Sequence, residues 1–219
     1  MSAVIGLEWE KSLDGYSIER EPPMMEPLRS SLLAAAQGHD PFRVVARSDR
    51  FKRYSVEGTG SEVFIAFANT PLTQEGVLAF AERWGLPRGR KGPAYLDGDF
   101  HTPIRSLRRV IELAGTGGPV ALERSIKKTN IGVCSVLFSR LPGDSSPRVF
   151  MQPRNLLDFM HLEFMQTLAG SAHFRPCTHC GSFFTVGVGT GKRKTRMYCS
   201  ENCRLRQHRH RERVRTAEQ

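Results

Sequence analysis

The first half of the chain alternates short apolar runs with longer stripes at helical spacing. Arg43–Ala46, Phe51–Val56 and Glu62–Phe67 read as short strands, the first two joined by the polar Arg47-Ser48-Asp49-Arg50, and together they predict an antiparallel sheet. Leu28–Ala36, after the Pro/Met-rich Glu21–Pro27, reads as a short helix. Leu72–Leu86 is the clearest helix of this half. Val77, Phe80, Ala81 and Trp84 share one stripe, Thr73 suits the N-cap, and Gly85 suits the left-handed stop. The stripe makes Trp84 a core residue rather than a ligand-stacking one. Residues 85–102 read as a solvated Gly/Pro-rich loop carrying Arg88, Arg90 and Lys91. Thr102-Pro103 then opens a second helix, with Ile104, Leu107, Ile111 and Ala114 facing inward and Gly115 as its stop. Pro119–Lys128 reads as a further helix.

The second half turns on one strongly apolar helix. Ile131–Phe138 and Val149–Gln152 read as a strand and its return, and Cys134 in the first as a small buried hydrophobe. Pro153 and Asn155 start a helix over Leu156–Ala169 that ends at Gly170. It is apolar on most sides, so it should be buried on most sides. Among its few polar residues, His161 reads as a hydrogen-bonded or surface histidine, because no second member of a catalytic site accompanies it. The helix runs straight into Phe174-Arg175-Pro176-Cys177, which predicts a C-terminal module docked through Phe174, Phe183 or Phe184. The expected fold class is α+β. A mixed sheet-and-helix domain over residues 1–172 is followed by a four-cysteine module over 173–207 and a basic tail over 208–219.

Cys177 and Cys180 are separated by two residues, Cys199 and Cys203 by three, and the two pairs by eighteen. This is the arithmetic of a tetrahedral site with four thiolate ligands, and it predicts one structural zinc ion (Zn2+). Gly181 allows the positive φ that a knuckle needs. Phe183–Val186 reads as a strand, Gly187, Gly189 and Gly191 as a turn, and Thr195–Tyr198 as the returning strand. Ser200 is a candidate N-cap for a helix carrying the last ligand. The order of knuckle, hairpin and helix is treble-clef-like. Paired disulfides would need an oxidising compartment. Met1–Glu10 has no basic leader region, and no apolar run nears the length of a membrane span, so the expectation is a cytoplasmic protein with reduced thiols. His179 reads as a surface residue. Gly189-Thr190-Gly191-Lys192 looks like a phosphate-binding loop but has Val186 where the first glycine belongs and Arg193 after the lysine.

Charge then changes the picture. The net charge is +10, and residues 174–219 supply eleven Lys/Arg against three Asp/Glu. Such clustering points to a polyanion, nucleic acid first. The candidate contacts are Lys192, Arg193 and Lys194 on the hairpin and Arg204, Arg206, Arg209, Arg211, Arg213 and Arg215 on the last helix. Arg204, Arg211 and Arg215 share one helical face; Arg206, Arg209 and Arg213 share the opposite one.

Residues 153–165 (PRNLLDFMHLEFM), 174–184 (FRPCTHCGSFF) and 197–213 (MYCSENCRLRQHRHRER) resemble the CGNR zinc-finger proteins of bacteria, and residues 67–86 look like another segment of that wider group. Around Cys203 the sequence is Glu201-Asn202-Cys203-Arg204-Leu205 rather than Cys-Gly-Asn-Arg. The resemblance implies a zinc finger and a regulatory, nucleic-acid-binding role. The competing expectation is a non-catalytic interaction or ligand-sensing protein, in which the finger is a cap, its basic residues balance the metal centre, and the N-terminal domain takes a small-molecule effector. Catalysis is not expected: four thiolates leave zinc no open position, and no HExxH, phosphate loop or nucleophile elbow occurs.

Overall fold

The computed structural model describes residues 4–21, 41–57, 62–89, 92–116, 122–123, 134–139, 148–170 and 172–217. The helix expected over Leu28–Ala36 lies outside them, as do most of Pro119–Lys128 and the start of Ile131–Phe138. The fold is mixed α and β. Strands β1 (Val4–Ser12), β4 (Phe51–Glu57), β6 (Cys134–Ser139) and β7 (Arg148–Pro153) form one sheet in the order β4-β1-β7-β6. β1 is antiparallel to β4 and parallel to β7, while β6 and β7 form an antiparallel pair. Strands β2 (Tyr16–Arg20), β3 (Phe42–Ala46) and β5 (Ala94–Tyr95) form a second, antiparallel sheet. The strands expected at 43–46 and 51–56 thus exist but belong to different sheets. Their polar connector is a switch between layers, because β1 and β2 change sheets at the same level: Leu13 N–H donates to Arg50 O and Arg47 N–H to Gly15 O.

The segment expected as a strand at Glu62–Phe67 is a helix, α1 (Val63–Ala68). A six-residue apolar run carries no period that separates a strand from a fully enclosed helix. Here it is enclosed: Val63, Phe64, Ile65, Phe67 and Ala68 are all buried. A helix satisfies its own backbone in such a place, where a strand would need two partners. Helix α2 (Gln74–Trp84) follows, with the Thr73 side chain accepting from Gly76 N–H. Gly85 ends it at φ 83°, where a Cβ would lie 2.7 Å from Glu10 O. Residues 85–87 are buried rather than solvated, because Trp9 Nε1 donates to Leu86 O and Leu157 N–H to Pro87 O. Beyond them the expected loop contains β5 and a wide helical turn over Leu96–His101 that runs into α3 (Thr102–Thr116).

Helix α4 (Leu156–Ala169) is capped by the Asn155 side chain, and its residues 156–164 are all buried. Two aromatic groups meet on α1. Phe64 lies edge-on to Phe164 of α4 and to Phe174, each at 5.9 Å, while Phe164 and Phe174 stack at 5.4 Å. Phe67 packs against Phe80 of α2 at 4.8 Å and Phe100 at 6.3 Å. Phe174 therefore belongs to the main core, although it lies only three residues before Cys177.

His161 is neither at the surface nor hydrogen-bonded. It is 5% exposed, and neither ring nitrogen has a partner among the described residues. Burial, reinforced by the charge of Arg88, pushes its pKa down to about 4. The unfolded chain binds a proton at the ordinary histidine value, so acid favours unfolding between the two values. Stability should fall as pH drops from about 6.5 towards 4, by up to about 3 kcal/mol for this group alone. Denaturant titrations across that range should show a shallower fall in His161→Gln than in the parent; equal slopes would remove His161 as the cause.

Candidate metal centre

The knuckle is built by short-range hydrogen bonds. Cys177 N–H donates to Ser182 O and Gly181 N–H to Cys177 O, with Gly181 at φ 74°. The strand after it, β9 (Phe183–Gly187), pairs with β8 (Ala172–Pro176), the strand before it. This replaces the expected hairpin: Thr195–Tyr198 forms no strand. A turn through Gly189 and Gly191 permits a single bridge, Gly187 to Lys192, and Arg196 N–H then turns back onto Arg193 O. The chain instead reaches the knuckle at Met197, whose carbonyl accepts from both Thr178 N–H and Thr178 Oγ1. Arg196 pins this return by donating to Tyr198 O at 2.7 Å and Cys199 O at 3.2 Å. The Ser200 hydroxyl accepts from Cys203 N–H, as an N-cap should, and opens helix α5 (Glu201–Ala217).

These elements bring the four expected ligands together. The Sγ atoms of Cys177, Cys180, Cys199 and Cys203 lie within 4.8 Å of one another, positioned to hold a metal ion. All four are free thiols, and the cluster is backed by a small core of Phe184 and Val186. Their acidities diverge. Burial raises Cys177, but amide hydrogen bonds around the knuckle outweigh it and bring it down to about 6. Burial, together with its sulfur neighbours, pushes Cys199 up to about 12. Thiols this close share protons until a cation replaces them, so metal binding must release protons and weaken in acid.

The centre is locked to α1 at both ends of that helix. At the C-terminal end the Asn69 amide makes two bonds with one residue of β9: Nδ2 donates to Phe183 O at 2.9 Å, and Phe183 N–H donates to Oδ1 at 2.7 Å. At the other end Lys192 Nζ lies 2.9 Å from Glu62 Oε1, and Thr185 Oγ1 donates to the same carboxylate. Lys192, expected as a nucleic-acid contact, is thus half-buried in an internal ion pair. Arg193 and Lys194 are exposed, and their side chains have no acidic partner among the described residues. His179 is half-buried and meets Gln207 of α5 at 3.1 Å, so it ties knuckle to helix rather than lying free. Phe174 and Phe183 contact the main core as expected, while Phe184 serves the metal side. Sequence reasoning missed Glu62, Asn69, Arg196 and Gln207. Arg196 and Gln207 lay near the motif, one a basic residue among many and the other a polar residue on a polar helix; Glu62 and Asn69 lie more than a hundred residues before it.

Helix α5 packs on little. Every residue from Arg204 to Thr216 except Gln207 is exposed. Arg204 pairs with Glu201, and Glu212 with His208 at 3.4 Å. Arg206, Arg209, Arg211, Arg213 and Arg215 have no acidic partner among the described residues.

No family model matches this sequence, and no curated protein or solved structure matches it either. Of what the CGNR resemblance implies, the structure carries the four-cysteine cluster. No helix among the described residues is long and apolar enough to cross a membrane.

Protein purified without added metal should carry close to one ion per chain by elemental analysis. Cys180→Ser should lose most of it and expose the finger to proteolysis, because the ion's binding energy is also folding energy in so small a unit. Full metal retention in that variant would remove the cluster as the site.

Proposed function

We propose that this protein binds nucleic acid through α5, with a structural zinc ion fixing where that helix begins. The donor set supports zinc. Sγ of Cys199 lies 3.7 Å from that of Cys180 and 3.5 Å from that of Cys203. A tetrahedron with Zn–S bonds of about 2.3 Å has edges of about 3.8 Å, which these two separations match; the widest separation in the cluster, at most 4.8 Å, would close by about 1 Å or less to seat the ion. Four thiolates would close the shell, leaving no position for a reacting water, which makes the ion's role structural rather than catalytic. Iron suits four sulfurs as well, but would colour the protein; a colourless preparation containing zinc would support the assignment, and a coloured one containing iron would overturn it.

The observation that carries the nucleic-acid reading is the set of arginines without acidic partners among the described residues, on a helix exposed from His208 to Thr216. Acidic residues take up Lys192 and Arg204, and backbone carbonyls take up Arg196, so those cations serve the fold. This is the specific support for the rival cap reading. It stops at Arg204. Arg206, Arg209 and Arg213 recur at i, i+3 and i+7; the carboxylate beside them, Glu212, is held by His208 rather than by any of the three, and Arg211 and Arg215 flank the other side. A 17-residue helix is about 25 Å long, enough to follow phosphates over part of a groove. Regulation of transcription is the role that the CGNR resemblance implies for such binding.

Fluorescence anisotropy with labelled duplex DNA and single-stranded RNA, over a series of salt concentrations, tests this. If three or four phosphates are engaged, log affinity for the preferred probe falls with log salt at a slope of about −3 to −4. Arg209→Ala with Arg213→Ala should flatten the slope by about 2 with zinc content unchanged. Absence of binding at low salt, or an unaltered slope in the double variant, would leave the cap reading standing.

A further inference from the structure

We propose that the groove between α3 and the β8–β9 hairpin binds an amphipathic organic anion: a carboxylate, sulfonate or similar single charge carried on an apolar body. The cavity has a volume of about 670 Å³, within the range of small-molecule sites. Its apolar lining comes from Ile111 of α3 and from Phe174, Phe183 and Val186 of the hairpin. Three of its four charged lining residues are basic. Arg109 comes from α3, Arg175 from β8, and Lys194 from the loop that leads to Cys199. The single carboxylate along the groove, Glu112, stands 3.8 Å from Arg109. Arg175 and Lys194 have no acidic partner among the described residues.

Each alternative occupant leaves one part of this lining unused. An inorganic anion would satisfy the cations but leave the apolar floor wet. A neutral apolar molecule would fill the floor but displace water from two cations without replacing it, which costs free energy. A nucleic-acid duplex carries its charges along its length and keeps its bases stacked inside, so it offers the floor no apolar body. A single anionic head on an apolar tail or ring system matches both, with head and cations forming charge-assisted hydrogen bonds at the mouth. The site does not depend on the nucleic-acid reading, since none of its three cations lies on α5. It is, however, bounded by both the main domain and the metal module. Met197, which also lines it, accepts the two hydrogen bonds from Thr178 that hold the knuckle. An occupant would therefore touch α3 and the metal module together.

Anilinonaphthalene sulfonate, an aromatic anion that fluoresces when shielded from water, is a suitable probe for the full-length, metal-loaded chain. The expected result is one saturable site per chain. Decanoate should displace the probe at a concentration at least roughly ten-fold lower than decanol does, since only the acid can pair with the cations. Arg175→Glu with Lys194→Glu should weaken the probe roughly ten-fold or more, with circular dichroism and metal content unchanged, and Arg175→Lys should retain most of the affinity. Both positions are exposed, so these changes test charge rather than folding. Non-saturable fluorescence, equal competition by decanol and decanoate, or a charge-reversed variant that binds as well as the parent would each overturn the proposal.

Discussion

Glu163 is a carboxylate only 2% exposed, and its Oε2 accepts the amide of Phe64 at 3.1 Å. The rest of the structure depends on what that contact allows. Helix α1 has no side-chain cap of its own, and Glu62 before it sits at a positive φ of 49°. The amides at a helix start must find partners, and they carry partial positive charge. A buried carboxylate is costly unless donors of this kind receive it. Each thus removes the other's penalty. With its own start served by Glu163, the Glu62 side chain is left to hold Lys192 and Thr185 of the metal module. Asn69 at the far end holds Phe183. A six-residue helix becomes the buckle between the main core and the four-cysteine cluster.

This arrangement gives the basic residues two distinct duties. Two near the cysteine cluster are drawn inward: Lys192 to Glu62, Arg196 to the carbonyls of Tyr198 and Cys199. They shape the return of the chain to the second cysteine pair. Those beyond Arg204 have no such employment within the described residues. A run of like charges on an unpacked helix repels itself, and a polyanion relieves that repulsion. The split between structural and free cations, rather than the net charge, is what supports a nucleic-acid partner.

Much of the helical half was legible because its signals are local. Thr73 and Gly85 bounded α2, Asn155 and Gly170 bounded α4, and the cysteine spacing assembled the cluster. The errors arose where long-range context decided. Val63–Ala68 has six apolar residues and no period, so only its enclosure by α2, α3, α4 and β9 makes it a helix. β1 runs through Glu8, Glu10 and Lys11, which broke the apolar pattern; Glu10 is nonetheless buried, meeting Arg53 at 3.0 Å. The finger's hairpin was sought after the knuckle because the glycines lie there, whereas β9 pairs backwards with Ala172–Pro176. His161 looked polar enough to need a partner and has none among the described residues.

The central claim is that arginines on α5, and not the cations that hold the fold, meet nucleic-acid phosphates. Nuclear magnetic resonance of arginine side-chain Nε–Hε groups in the metal-loaded chain tests it directly, with the preferred nucleic acid added stepwise. The account predicts that signals of Arg206, Arg209 and Arg213 shift and become protected from exchange with water, while those of Arg53 and Arg196 stay in place. Binding that leaves every α5 arginine signal unmoved would contradict it.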